Sequence, residues 1–336
     1  NIRMEFKIVP FVSLQSWVIK MTGVMMCVLS LQFYFAGTMD LATTIVMMIA
    51  SFLMYAALDS AGNFSSLLRA VDISVDKAKS VLAIENMDID GEYIETETQN
   101  IEMDHVDFAY DTRKVIDDIS LSIPEKTTAA FVGPSGSGKT TICHLIARFW
   151  DVQSGQVKLD NRDVRAYNMN SLMENFSFVF QSVYLFHDTI ANNIRFGQPE
   201  ASMDMVIDAA KRACCHDFIS KLPDGYDTVL GEAGASLSGG QKQRISIARA
   251  IMKDAPIIIL DEATANVDPE NERELMLAIK ELTKEKTILM IAHRLKTVRN
   301  ADRIYVIDKG KISQQGTHEE LLKNDGIYRD FVSARS

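Results

Sequence analysis

The sequence predicts an α-helical hairpin long enough to cross a membrane, followed by an α/β domain built on a parallel sheet. Three stretches carry that prediction. Residues 8–58 are dominated by apolar side chains, whereas the rest of the chain is mixed. A glycine-rich run, Gly133 to Thr141, lies between the apolar Thr128–Val132 and the helix-like Ile142–Phe149. Further on, Ile257–Leu260 is apolar at every residue and ends in Asp261 and Glu262. A strand apolar on both faces belongs in a parallel sheet covered by helices.

The 336 residues leave room for about two domains. A net charge of −10 lacks the basic stripe of a nucleic-acid-binding surface, so no nucleic-acid partner is expected. Cys27, Cys143, Cys214 and Cys215 have no metal-ligand spacing, and neighbours such as Cys214 and Cys215 rarely pair, which predicts reduced cytosolic thiols. The chain opens on Asn1 without a signal-like segment and reads as a piece of a longer polypeptide.

From Ile8 to Ala36 the apolar run is interrupted by Gln15, Lys20 and Gln32. Leu41 to Leu58 is an uncharged run of 18 residues, the length of a spanning helix, and Gly37–Asp40 between them reads as a turn. Two buried helices of a soluble domain would give the same pattern, but the flanks favour a membrane. Arg3 and Lys7 precede the pair, Arg69, Lys77 and Lys79 follow it, and the turn has no basic residue. The positive-inside bias then puts both ends in the cytosol, in a multi-pass protein expected in the plasma membrane. Lys20 and Asp59 are charges in or beside the spans; either lines a substrate path, or Lys20 snorkels and Asp59 marks a span end. The methionines of this region (Met21, Met25, Met26, Met39, Met47, Met48, Met54) suit lipid and helix packing rather than metal binding. Residues 60–88 keep a helical pattern that would carry the second helix into the cytosol, and the acidic, unpatterned stretch after them reads as linker. The expected domains are therefore 1–88 and 101–336, with 89–100 between them.

The run Gly133-Pro134-Ser135-Gly136-Ser137-Gly138-Lys139-Thr140-Thr141 fits a P-loop, and the strand before it and helix after it are the context that motif requires. Its glycines let backbone N–H groups converge on a phosphate at the positive end of the helix. Lys139 can reach the β- and γ-phosphates, and the Thr140 hydroxyl can ligate Mg²⁺. Asp261 and Glu262 emerge at the carboxyl edge of the sheet, where ligands of open α/β folds bind. There Asp261 can hold Mg²⁺ and Glu262 can take a proton from the attacking water. A second apolar strand, Thr287–Ala292, delivers His293 to the same edge. Leu237-Ser238-Gly239-Gly240-Gln241 opens the amphipathic Lys242–Ala250 and offers a second anion site, which suggests ATP held between two copies of the domain. Tyr110, at the end of the alternating strand that starts at Ile101, either stacks on a purine or packs along a sheet edge.

In this order GPSGSGKT, LSGGQ, IIILDEAT and AHR resemble the nucleotide-binding domain of an ABC transporter, over about residues 101–330. Residues 1–88 more weakly resemble the last two of six membrane helices of an exporter half-transporter. The resemblance implies a P-loop NTPase domain of ABC type with antiparallel β and α-helical subdomains. It implies ATP-driven transport, with ATP hydrolysed where two such domains meet. Tyr110 would stack on adenine, and Gln181, in Val179-Phe180-Gln181-Ser182, would join Thr140 and Asp261 at Mg²⁺ and sense the γ-phosphate. Glu262, His293, Lys139 and Gln181 would form the catalytic set. Residues 182–236 would form a helical subdomain that docks membrane-domain helices, with Glu232 facing those helices. Leu237–Gln241 would touch the partner's ATP, and Asp268 would couple the two sites. Ala265 stands where the family commonly has Ser, which removes one hydrogen bond across the dimer. The implied partners are the bilayer, an identical or related second half-transporter, and a substrate the sequence does not identify. A soluble ATPase of the same type, or a module that binds ATP only to dimerise, stays open.

Overall fold

The structure, a computed structural model, describes residues 2–83, 87, 89–231, 234, 237–261, 269–292 and 298–333; within these, the side chains of 2–13, 15, 58, 59, 61–63, 65, 66 and 269–271 are not described. The chain divides into two units, Asn1–Asn86 and Met87–Ser336.

The first unit is a helical hairpin of α1 (Ile2–Phe35) and α2 (Leu41–Leu82). Gly37, at φ +73°, makes the turn that a side chain would resist. Asp40 caps α2, its carboxylate accepting from Thr43 N (3.2 Å) and Thr43 Oγ1 (2.6 Å). Among the described residues of this unit, the buried ones are small and polar: Ser30, Thr44 and Ser51. Their hydroxyls return hydrogen bonds to Met26 O, Asp40 O and Met48 O, so close approach leaves no polar group unsatisfied. Trp17, Val24, Phe52 and Leu53 are exposed, an apolar exterior suited to lipid. Ser16–Phe35, at 20 residues, is the helix among those described that is long and apolar enough to cross a membrane, about 30 Å of rise. The apolar part of α2 is Leu41–Ala57, one residue less than the run counted in the sequence, at the short end of the spanning range. The helix itself runs on to Leu82, as the pattern of residues 60–88 predicts. Lys20 lines a groove of about 570 Å³ with Val24, Cys27, Ser51 and Tyr55. The side chain of Asp59 lies outside the described residues.

The second unit holds two sheets. An antiparallel sheet runs β2–β1–β4–β5, from β1 (Ile101–Tyr110), β2 (Arg113–Ile123), β4 (Ser154–Leu159) and β5 (Arg162–Asp163). The central sheet runs β10–β9–β3–β8–β7–β6, from β3 (Thr128–Val132), β6 (Phe176–Val179), β7 (Ile257–Asp261), β8 (Thr287–Ile291), β9 (Arg303–Asp308) and β10 (Lys311–Gly316). It is parallel except for the β9–β10 hairpin. Ala129–Val132 and Ile257–Leu260 are buried throughout, as strands covered on both faces must be. The helix α3 (Lys139–Ile146) packs over β3, and α4 (Met169–Glu174) precedes β6.

Residues 182–236 contribute α5 (Ile190–Arg195), α6 (Met203–Arg212) and α7 (His216–Ile219), which pack on α8 (Gly239–Lys253) and α9 (Pro269–Leu282) in a core of their own. Arg249 holds this helical part together. Its guanidinium donates to Asn193 O (2.9 Å), Asn193 Oδ1 (3.1 Å) and Tyr184 O (3.3 Å), between the rings of Phe186 and Phe196. Burial pulls its pKa below the usual arginine range. Arg249→Ala is expected to cost the subdomain about 2–4 kcal/mol, because it strands these acceptors and empties an aromatic cage. Hydrogen exchange over residues 184–196 should accelerate; unchanged protection there would refute the role.

Residues 89–100, read as linker, have little regular structure but are laid along the second unit. Glu92 N donates to Ala166 O (2.9 Å), Asn168 N donates to Glu92 O (2.7 Å), and Ile94 is buried.

Candidate nucleotide site

Strand register puts the site at one sheet edge. Phe131, Ile291 and Asp261 are neighbours across β3, β8 and β7, and Val179 of β6 pairs with Leu260. The chain therefore leaves β3 as the glycine-rich loop, β7 at Asp261, β8 at Ala292 and β6 just before Gln181, all at the carboxyl edge. Glu262, Asp268, His293 and Glu232 lie outside the described residues.

Gly133 to Thr141 wraps the start of α3. Gly133 has φ +145°, and a Cβ there would stand 2.0 Å from Ile307 O of β9, so only glycine fits. Gly138, at φ +110°, precedes α3 and leaves the first N–H groups of the helix free of a side-chain cap. Lys139 is buried, and its ammonium donates to Gly133 O (3.1 Å) and Pro134 O (2.8 Å), folding back over the loop. The Ser137 hydroxyl is buried without a hydrogen-bond partner. Uncapped helix N–H groups, a buried ammonium and an orphaned hydroxyl are what a phosphate would satisfy.

A cleft of about 850 Å³ opens over this loop, lined by Pro134–Thr141, Tyr110, the start of β2 at Arg113–Val115, and Asp308–Gly310 at the end of β9 and the turn after it. That volume suits a nucleotide. Tyr110 lines the cleft and packs edge-to-face on Phe108 at the end of β1, an inner strand of its sheet. Arg113, Lys114 and Lys309 line the cleft although the sequence pattern does not single them out. The first two open β2 and Lys309 lies in the β9–β10 turn, and tertiary pairing sets their closeness to the loop, although the position of Arg113 just beyond Tyr110 is a usable signal. Lys114 is held by Asp107 (2.9 Å) and Asp117, and the two carboxylates raise its pKa.

The donors assigned to a metal, the Thr140 hydroxyl, the Gln181 amide and the Asp261 carboxylate, are all oxygens and suit Mg²⁺. No group of three His, Cys, Asp or Glu that could hold a metal ion gathers among the described residues. Burial and the nearby Asp261 charge push the Cys143 thiol up, so Cys143 is an inert part of the core.

Ser238 caps α8 in a capping box: Gln241 N donates to Ser238 Oγ (3.3 Å), and Ser238 N donates to Gln241 Oε1 (3.0 Å). Leu237–Gln241 are not among the residues lining the cleft of their own chain. Gln243, one turn on, donates to Phe180 O (3.3 Å) and ties α8 to the segment bearing Gln181.

Loop, cleft and sheet edge together define a P-loop nucleotide-binding domain. The model of the ABC transporter family matches residues 116–265. The ATP-dependent lipid A-core flippase of Desulfotalea psychrophila is 50% identical over 231 residues, 69% of this chain and 40% of that protein. The flippase of the same name from Haemophilus influenzae (strain 86-028NP) is 48% identical over 236 residues, again 69% and 40%. A solved bacterial Atm1-family ABC exporter with ATP bound superposes with a TM-score of 0.73 at 30% identity, covering 100% of this chain and 59% of that one. The chain belongs to the ABC transporters, with the organisation of an exporter-type half-transporter, and it spans about two fifths of the length of those flippases.

Proposed function

We propose that this chain forms part of an ATP-driven exporter in which two nucleotide domains bind and hydrolyse ATP between them. The observation that carries the reading is the convergence of the P-loop, Asp261 and the Gln181 segment on one sheet edge, beside a cleft of nucleotide size. Tyr110 stacks on the base, while Lys139 and the loop N–H groups offset phosphate charge in a preorganised way. Mg²⁺, held by Thr140, Gln181 and Asp261, supplies further charge neutralisation at the phosphates. Glu262 accepts the proton of the attacking water, with His293 steadying the γ-phosphate. Leu237–Gln241 stand away from the cleft of their own chain, which favours their contacting ATP on a second copy, identical or related. Asp268 and Glu232 then act in communication between the sites and with the membrane part. On this reading the hairpin spans the plasma membrane, with the nucleotide domain in the cytoplasm.

The names of the relatives make a lipid A-type amphiphile the first substrate to test. In proteoliposomes holding the intact protein, phosphate release and movement of a labelled lipid between leaflets should both require ATP. Phosphate release without lipid movement would leave a plain ATPase, and no release would leave a nucleotide-binding dimerisation module. Either result sinks the proposal.

A further inference from the structure

We infer that Trp150 is a positioning residue for the nucleotide base, holding Tyr110 in the plane that a purine meets; this rests on the nucleotide reading above. Three aromatic rings meet at Tyr110, which lines the cleft. Tyr110 stands edge-to-face with Phe108 (4.8 Å between centroids, 89°) and with Trp150 (5.4 Å, 85°), so two neighbours nearly perpendicular to it fix its tilt. Phe108 is buried in the sheet core, whereas Trp150 is half exposed, a large apolar surface that the core does not require.

Trp150 is itself firmly placed. It lies in the turn after α3, where the neighbouring Arg148 has φ +53° and is 2% exposed. The Arg148 guanidinium donates to Asp151 Oδ1 (2.8 Å) and to Val164 O, Arg165 O and Tyr167 O. Beyond it, Gln153 straddles the backbone of Ala109, the residue before Tyr110: Ala109 N donates to Gln153 Oε1 (2.8 Å) and Gln153 Nε2 donates to Ala109 O (3.1 Å). The helix that begins at the phosphate loop is therefore followed, one turn past its end, by the indole that packs on Tyr110. Phosphate and base recognition are spaced by one rigid segment.

A base platform and a phosphate cradle are separable with two ligands, ATP and inorganic tripolyphosphate, which has no base. On the intact protein, Trp150→Ala should weaken ATP binding roughly three- to tenfold, the range of an aromatic pair, and leave tripolyphosphate within about twofold. Trp150→Phe should restore the ratio. A fall in both ligands together, or in neither, overturns the inference. If the alanine variant does not fold, Trp150→Leu decides: it keeps bulk without a ring, and an unchanged ATP-to-tripolyphosphate ratio counts against us. Lys139→Ala, run alongside, should weaken both ligands; if it weakens neither, the nucleotide reading fails and not the placement of Trp150.

Discussion

Lys139→Ala is expected to weaken ATP binding about 10–100-fold, the largest loss of affinity for a single substitution in the chain. The ammonium is buried and already satisfies Gly133 O and Pro134 O, so its removal costs a charge-assisted phosphate contact and also frees the loop it braces. Nucleotide titration on the intact protein measures this. Affinity within twofold of the unaltered protein would mean that the glycine-rich turn is not a phosphate cradle.

Glu262→Gln acts on turnover instead. General base catalysis contributes about 10²–10⁴-fold, and an amide cannot take the proton, so kcat should fall by that factor while ATP affinity stays within about twofold. Glu262 is the next residue in sequence after Asp261, and Asp261 stands level with Phe131 across β8. Sedimentation of the variant with ATP should show the two-chain assembly persisting, because closure no longer ends in hydrolysis. Turnover equal to that of the unaltered protein would assign the base to another residue.

The chemistry-bearing stretches were legible because each is local. A buried strand, a glycine turn and a helix start occupy Thr128 to Ile146 without interruption. Likewise the apolar Ile257–Leu260 declares a two-sided burial that the parallel sheet provides. The long continuation of α2 to Leu82 was legible for the same reason, since a helical period does not depend on distant partners. What escaped was whatever needs two distant segments. Lys309 and Trp150 look like an ordinary turn cation and an ordinary aromatic residue until β9 carries the first to the cleft and the Arg148 turn sets the second against Tyr110. Arg249 reads as the polar face of α8, and only the return of Asn193 and two phenylalanines makes it a buried anchor. The residues after 88 read as tether because they are acidic and aperiodic; the backbone pairing of Glu92 with Ala166 and Asn168 leaves no trace in composition.

A side chain at Gly133 would collide with Ile307 O, Gly310 N donates to Ser137 O (3.1 Å), and Thr128 N donates to Asp302, 174 residues further along. The phosphate loop thus borrows its floor from β9 and the turn after it, far along the chain from β3. Until β9 arrives, β3 has a bare edge that invites wrong pairing, and the cradle is unfinished. A chain stopped before residue 303 is therefore expected to lack a finished phosphate cradle and to expose the β3 edge.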